Sequence, residues 1–278
     1  MTPRKYLICT SPRSGSTLFS MVLRDTGELG MQLADDVTEP LARLRLSYFE
    51  GVDWSRDGVA DLLERCWNES RSNNGVAGYK LMWHDVTQAV EAARRSGHHR
   101  ELRLDRPGDY VPKDTHYLLL LRRDTLRQAI SWAKALQSAA WSSLEEGRAS
   151  YRYDYLLIRR CLLQVRHQTD SWRRWFHQLG VEPDVYYYED FVRDIQTPVS
   201  ALSERLGVPA PRVSLKEAPL RKQGDAVNDE WRARFERDQE TLFGSIRAVA
   251  ASVTRPDPWG RLLLDWRERW RRREAARR

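Results

Sequence analysis

The sequence predicts an α/β fold in which a mostly parallel sheet is flanked by helices, and three observations carry that reading. Short apolar runs of strand character alternate along the chain with longer segments of helical period. The clearest run, His116 to Leu121, contains Tyr117-Leu118-Leu119-Leu120-Leu121 and is too apolar to face water on either side. Such runs belong in the middle of a parallel sheet. The 278 residues are 41% hydrophobic and 31% charged, an ordinary globular balance with length enough for a sizeable core. That balance argues against a disordered, collagenous or coiled-coil chain, and no apolar run approaches a membrane span.

The elements follow in order. Residues 5–9, Lys-Tyr-Leu-Ile-Cys, read as a short buried strand. The segment Thr10 to Thr17 follows at once, and then Leu18, Met21, Val22 and Leu23 fall at helical spacing up to a stop near Gly27. Helical stretches are expected at 38–49 and 56–70, a second strand over Val76 to Trp83 and a helix at 85–95. Residues 96–115 are polar, with Pro107, Gly108 and Pro112, and read as a surface excursion. The His116 strand leads into a helix from about Thr125 to Ala140. A long helix over 151–179 is expected to bury a stripe of Leu156, Leu157, Leu163 and Trp172. A fourth strand over Asp184 to Tyr188 and a helix at 195–206 come next, and the remainder reads as helical. Without a repeat or an obvious linker, a single domain over 1–278 is expected, with an arginine-rich helical tail at about 258–278.

That tail explains the net charge. Of the formal +7, residues 261–278 contribute +5 through eight arginines against Asp265, Glu268 and Glu274. The basic character is therefore local, which argues against nucleic acid as the partner. Three widely spaced cysteines, Cys9, Cys66 and Cys161, offer neither a disulfide framework nor metal-ligand spacing, and a reducing cytoplasm is the expected setting. No leader-like apolar segment precedes the first strand.

Two segments carry chemistry. Pro12-Arg13-Ser14-Gly15-Ser16-Thr17 lies between a strand and a helix, where successive backbone N–H groups and the helix dipole favour an anion. Ser16 and Thr17 add hydroxyls and Arg13 a fixed charge; the competing reading is a plain turn with a helix cap. No Gly-Lys-Ser/Thr occurs, so an ordinary magnesium-nucleotide site is weakly supported. In the second segment, Arg122 ends the most apolar strand, at the edge where open α/β sheets bind ligands. Ser131 lies on the following helix, and the pair is suited to gripping a second phosphate. The competing readings are a local ion pair for Arg122 and a bond to its own helix for Ser131.

Together these segments resemble the sulfotransferases that use 3′-phosphoadenosine 5′-phosphosulfate (PAPS), and most of all the bacterial Stf-zero group typified by trehalose 2-sulfotransferase. Arg13 to Leu18, Gly78 with Lys80-Leu81-Met82-Trp83, Gln128-Ala129 with Ser131, Gln137, Trp141 and Asp229-Glu230-Trp231 look like that group's motifs, in order. Tyr188-Glu189-Asp190-Phe191 is similar to a structural motif common among sulfotransferases. The resemblance spans residues 6 to about 240. It implies a P-loop-like three-layer fold, transfer of a sulfuryl group to a hydroxyl of a sugar or secondary metabolite, and a homodimer. Adenosine 3′,5′-bisphosphate would be the product, with no metal required.

The resemblance also implies roles. Arg13, Ser14, Gly15, Ser16 and Thr17 would hold the 5′-phosphosulfate, and Arg122 and Ser131 the 3′-phosphate. Lys222 and Gln223, in Arg221-Lys222-Gln223-Gly224, would close over that phosphate. Arg13 would also act in catalysis. The trehalose enzymes place a glutamate after the first helix in a Gly-x-Pro-x-Glu pattern. This chain departs from it, reading Gly30-Met31-Gln32-Leu33-Ala34-Asp35-Asp36-Val37-Thr38-Glu39-Pro40, with Ala34 at the glutamate position in an ungapped register. Asp36 and Glu39 are the leading candidates for the general base, with Asp35 and His84 behind them. Rival classes remain: a P-loop kinase-like phosphotransferase, and less favoured, a nucleic-acid-binding protein.

Overall fold

The computed structural model describes residues 4–31, 56–87, 95, 97, 114–138, 151–215 and 226–253. The strands are β1 (Lys5–Thr10), β2 (Ala77–Met82), β3 (Thr115–Leu121) and β4 (Asp184–Tyr187). The helices are α1 (Ser16–Asp25), α2 (Arg56–Glu69), α3 (Thr125–Ser138), α4 (Tyr155–Leu179), α5 (Tyr188–Phe191), α6 (Gln196–Leu206) and α7 (Ala226–Val253). The chain divides into two compact units, residues 1–225 and residues 226–278. The described part of the second unit is α7, which carries Asp229-Glu230-Trp231 in its first turns.

The first unit is built on a four-stranded sheet in the order β2-β1-β3-β4, every pair parallel. Ile8 lies opposite Lys80 of β2 on one side and Leu118 of β3 on the other. Helices cover both faces, so the expected layered α/β architecture is what forms. Alternation along each strand sorts the core into two clusters. On one face Tyr6, Ile8, Leu118 and Leu120 pack against Phe19 and Leu23 of α1 and Val199 and Leu202 of α6. On the other, Leu7, Cys9, Tyr79 and Leu119 meet Trp67 of α2 and Trp172, Trp175 and Phe176 of α4. Burial on both sides is why these strands read as continuous apolar runs.

Several boundaries differ from the sequence reading by a few residues. α4 starts at Tyr155, because Asp154 caps it by accepting a hydrogen bond from the Leu157 N–H at 2.9 Å. Its buried stripe runs through Ile158, Cys161, Val165, Trp172, Trp175 and Phe176. Leu156 and Leu163 instead stand 72% and 55% exposed. Leucine content marked the helix but not the side that faces the sheet, which the aromatic residues in its last turns determine. Ser131 is the seventh residue of α3, under two turns in, and Tyr188 opens α5 rather than closing β4.

Gly78 shows how sequence fixes the packing of β2. A Cβ there would lie 2.1 Å from the ring of Tyr6, its register partner on β1. The bare position lets the Tyr6 ring cross the strand, and its hydroxyl donates to the Leu29 carbonyl at 2.6 Å. That bond ties the segment leaving α1 to the sheet. Gly30 lies on the same segment, where a Cβ would come within 2.8 Å of the Gly78 nitrogen and the Ser70 carbonyl oxygen. The chain therefore runs hard against β2 just before residues 32–55.

Candidate active site

A parallel sheet presents its ligand crevice at the carboxyl ends of its strands. There, β1 gives way to the loop between Thr10 and α1. Two loop residues are left-handed, Arg13 at φ 63° and Gly15 at φ 88°. For a residue with a Cβ this costs about 1–2 kcal/mol, so the surroundings must hold Arg13 there. Gly15 is the N-cap of α1 and offers no side-chain cap, and no acidic residue sits in the first turn. The first N–H groups of the helix thus have neither an internal acceptor nor a carboxylate from their own turn, which leaves a positive end suited to an anion.

The hydroxyls divide the work. Thr10 Oγ1 bonds to the Leu120 carbonyl at 2.8 Å and shares a 2.6 Å bond with Ser14 Oγ. The Ser14 side chain is thereby committed inside the loop, which leaves its backbone N–H as the group it can offer a ligand. Ser16 is buried at the start of α1. Thr17 Oγ1 lies 3.5 Å from Lys80 Nζ, which reaches across from the neighbouring strand. Lys80 is only 3% exposed. It belonged to a recognised motif without a stated role; the signal was a lysine inside the apolar strand Gly78-Tyr79-Lys80-Leu81-Met82.

The second segment closes on the first. Arg13 Nε donates to Ser131 Oγ at 2.9 Å, and Arg122 Nη1 donates to the Arg13 carbonyl at 3.3 Å. The Arg122 guanidinium also lies over the Tyr188 ring at 4.7 Å. Among the described residues its Nε is buried without a hydrogen-bond acceptor; Glu189 pairs with it at 4.0 Å, too far for a hydrogen bond. Burial pulls the Arg122 pKa down, opposed by Tyr188, Glu189 and Asp124. A desolvated cation with an unmet N–H is what an anion site requires. The next residue does something different. Arg123 clamps Asp190 through two 2.6 Å bonds and stacks on Tyr187 at 4.1 Å, so its charge serves the architecture.

The segment Tyr188-Glu189-Asp190-Phe191 explains why the two site segments meet. Glu189 accepts from the Arg123 and Asp124 N–H groups at 3.0 and 3.2 Å, fixing the turn between β3 and α3. Phe191 is buried in the core against Phe19, with ring centroids 5.3 Å apart. Tyr188 lies so close to the loop that a Cβ on Gly15 would fall 2.3 Å from its ring. Gly15 is therefore required twice, by its φ and by its neighbour.

The structure thus brings together Arg13, Ser14, Gly15, Ser16, Thr17, Arg122 and Ser131 as the sequence suggested. Asp35, Asp36 and Glu39, and with them Lys222 and Gln223, lie outside the described residues. His84 lies on the helical turn after β2, with Nε2 3.1 Å from Oδ1 of the buried Asp85. Among the described residues no group of three or more histidines, cysteines or carboxylates is placed to hold a metal ion, and no helix is long and apolar enough to cross a membrane.

Comparisons with known proteins add to this geometry. The family model described as Stf0 sulphotransferase matches residues 5–238. A trehalose 2-sulfotransferase of Mycolicibacterium smegmatis is 31% identical over 264 residues, covering 86% of this chain and 96% of that protein. A trehalose 2-sulfotransferase of Mycobacterium tuberculosis is 27% identical over 269 residues, covering 86% and 97%. Among solved structures, the sulfotransferase domain of the Synechococcus PCC 7002 olefin synthase aligns with a TM-score of 0.36 and 16% identity over 73% of each chain.

Proposed function

Since the chain belongs to the Stf0 sulphotransferase family, and is a sulfotransferase on that ground, we propose that its donor is PAPS and its acceptor a hydroxyl of a sugar or small secondary metabolite. The observation that carries this is the convergence of Arg13, Ser131 and Arg122 beside the N-terminus of α1. One end of the site suits a 5′-phosphosulfate and the other, with the unmet Nε of Arg122, a 3′-phosphate. The donor supplies an activated sulfuryl group: the acceptor oxygen bonds to sulfur as the bond from sulfur to the 5′-phosphate oxygen breaks, and adenosine 3′,5′-bisphosphate leaves.

The chain's own residues do the rest. Arg13 and the loop N–H groups face the place where negative charge grows on the leaving phosphate, and such prepositioned donors are the strongest electrostatic aid to catalysis. Lys80, beside Thr17, adds a second cation at that end. Lys222 and Gln223 are proposed to cover the 3′-phosphate, and Asp36 or Glu39 to take the acceptor proton. Single-domain organisation, a homodimer and a cytoplasmic setting complete the proposal, with neither metal nor nucleic acid taking part.

The test offers labelled PAPS and a panel of hydroxyl acceptors that includes trehalose. Label should appear in at least one acceptor with release of adenosine 3′,5′-bisphosphate. Either Asp36→Asn or Glu39→Gln should cut kcat by at least about 10²-fold, the low end for general base catalysis, with donor affinity nearly unchanged. Normal turnover in both, with a dead His84→Asn, moves the base to the turn after β2. Transfer of phosphate from ATP with magnesium, and none of sulfate from PAPS, contradicts the proposal.

A further inference from the structure

We infer that Gln128 is a positioning residue of the donor site, setting the peptide between Pro12 and Arg13 so that the loop's N–H groups face the bound anion. This rests on the donor site proposed above. Gln128 lies on α3 three residues before Ser131, on the same helix face, and is 1% exposed. A carboxamide so buried must find partners. Its Nε2 donates to the Pro12 carbonyl at 2.7 Å and to Ser11 Oγ at 3.0 Å. The Pro12 carbonyl can only accept, which fixes the nitrogen at that end of the amide.

Among the described residues, Gln128, Trp172 and Arg122 hold carbonyls of this segment from outside it. Trp172 Nε1, fully buried on α4, donates to the Thr10 carbonyl at 2.8 Å. Arg122 donates to the Arg13 carbonyl at 3.3 Å. A trans peptide is planar, with its C=O and the following N–H pointing in opposite directions. Drawing the Pro12 carbonyl towards α3 therefore turns the Arg13 N–H away from α3. Drawing the Arg13 carbonyl towards Arg122 likewise turns the Ser14 N–H away from Arg122. Arg13 also sits at φ 63°, a conformation that persists in a non-glycine residue only where its surroundings over-determine it. The Gln128 bond on one side of Arg13 and the Arg122 bond on the other supply that restraint. Ser131, one turn along α3, then aims the Arg13 side chain. A single helix thus sets both the backbone and the guanidinium of the loop.

Two variants separate positioning from packing. Gln128→Met keeps the shape and removes both donors. Gln128→Glu keeps the shape but can donate to Pro12 only while its carboxyl is protonated. Calorimetry on the full chain would use adenosine 3′,5′-bisphosphate, adenosine 3′-phosphate and inorganic pyrophosphate. Gln128→Met should weaken the bisphosphate and pyrophosphate by about tenfold, the upper range for a lost hydrogen bond. Adenosine 3′-phosphate, which places no anion on the loop, should change less than about twofold. Gln128→Glu should approach wild-type affinity for the bisphosphate as pH falls from 8 to 6, and lose it as pH rises.

Unchanged affinities in Gln128→Met, equal losses for both nucleotides, or a pH-independent Gln128→Glu overturn the positioning role. A wild type that binds pyrophosphate but shows no preference for the bisphosphate overturns the donor proposal instead, and the pyrophosphate comparison still decides on Gln128. A wild type that binds no anion overturns both.

Discussion

His116 shows how one residue's surroundings set a measurable property. Its Nε2 lies 3.0 Å from Asp184 Oδ2, between the first turns of β3 and β4, and an ion pair would be the simple reading. Burial nevertheless lowers its pKa below the ordinary 6.5, outweighing the pull of Asp184, and Arg205, which also contacts Asp184, adds to the lowering. The folded chain thus prefers the neutral ring. Between the lowered pKa and the ordinary value the unfolded chain binds more protons, so stability falls as pH drops through that window and is unaffected above it. The urea midpoint should therefore fall less between pH 7.5 and pH 5 in His116→Gln than in the wild type. Identical slopes would show that His116 does not contribute.

At the scale of elements, strands were more legible than helix faces, and the reason is physical. A strand covered on both sides by helices is apolar at most of its positions, so β3 announces itself and its ends fall within a residue of expectation. A long helix shows its period but not its orientation. On α4 the sheet-facing side is chosen by the fit of Trp172, Trp175 and Phe176 against Tyr117 and its neighbours, which only the fold reveals. The exposed Leu156 and Leu163, two turns apart on that helix, leave apolar surface in the single chain. The proposed homodimer predicts the mass of two chains by light scattering at high micromolar concentration. A monomer mass there contradicts it. Of the site, Arg13 stands out by its loop between a strand and a helix, whereas Arg122 at the end of β3 and Ser131 within α3 are singled out only by the pattern of motifs they share with the sulfotransferases. Gln128 and Tyr188 belong to motifs the sequence shows, but their roles do not follow from it. A glutamine inside an amphipathic helix and a tyrosine after a strand have many ordinary uses, and only the loop's geometry assigns them one.

At the scale of the molecule, the arrangement is a division of labour across one sheet edge. β1 delivers the loop, α1 its positive end, β2 contributes Lys80, β3 Arg122 and α3 Ser131, while α4 and α5 hold the loop from behind. The net charge of +7, concentrated in the last residues of the chain, is no guide to this site, whose cations are few and individually placed. This edge is proposed to select a nucleotide bearing phosphates on both the 3′ and 5′ positions of its ribose. Calorimetry comparing adenosine 3′,5′-bisphosphate with adenosine 5′-phosphate, on the wild type and Arg122→Ala, tests it most directly. The account predicts tighter binding of the bisphosphate by the wild type. Arg122→Ala should weaken the bisphosphate by about 10- to 100-fold, the worth of a charge-assisted hydrogen bond, and adenosine 5′-phosphate distinctly less, through the lost bond to the Arg13 carbonyl alone. Equal affinity of the wild type for the two nucleotides, or an equal loss of both in Arg122→Ala, would contradict it.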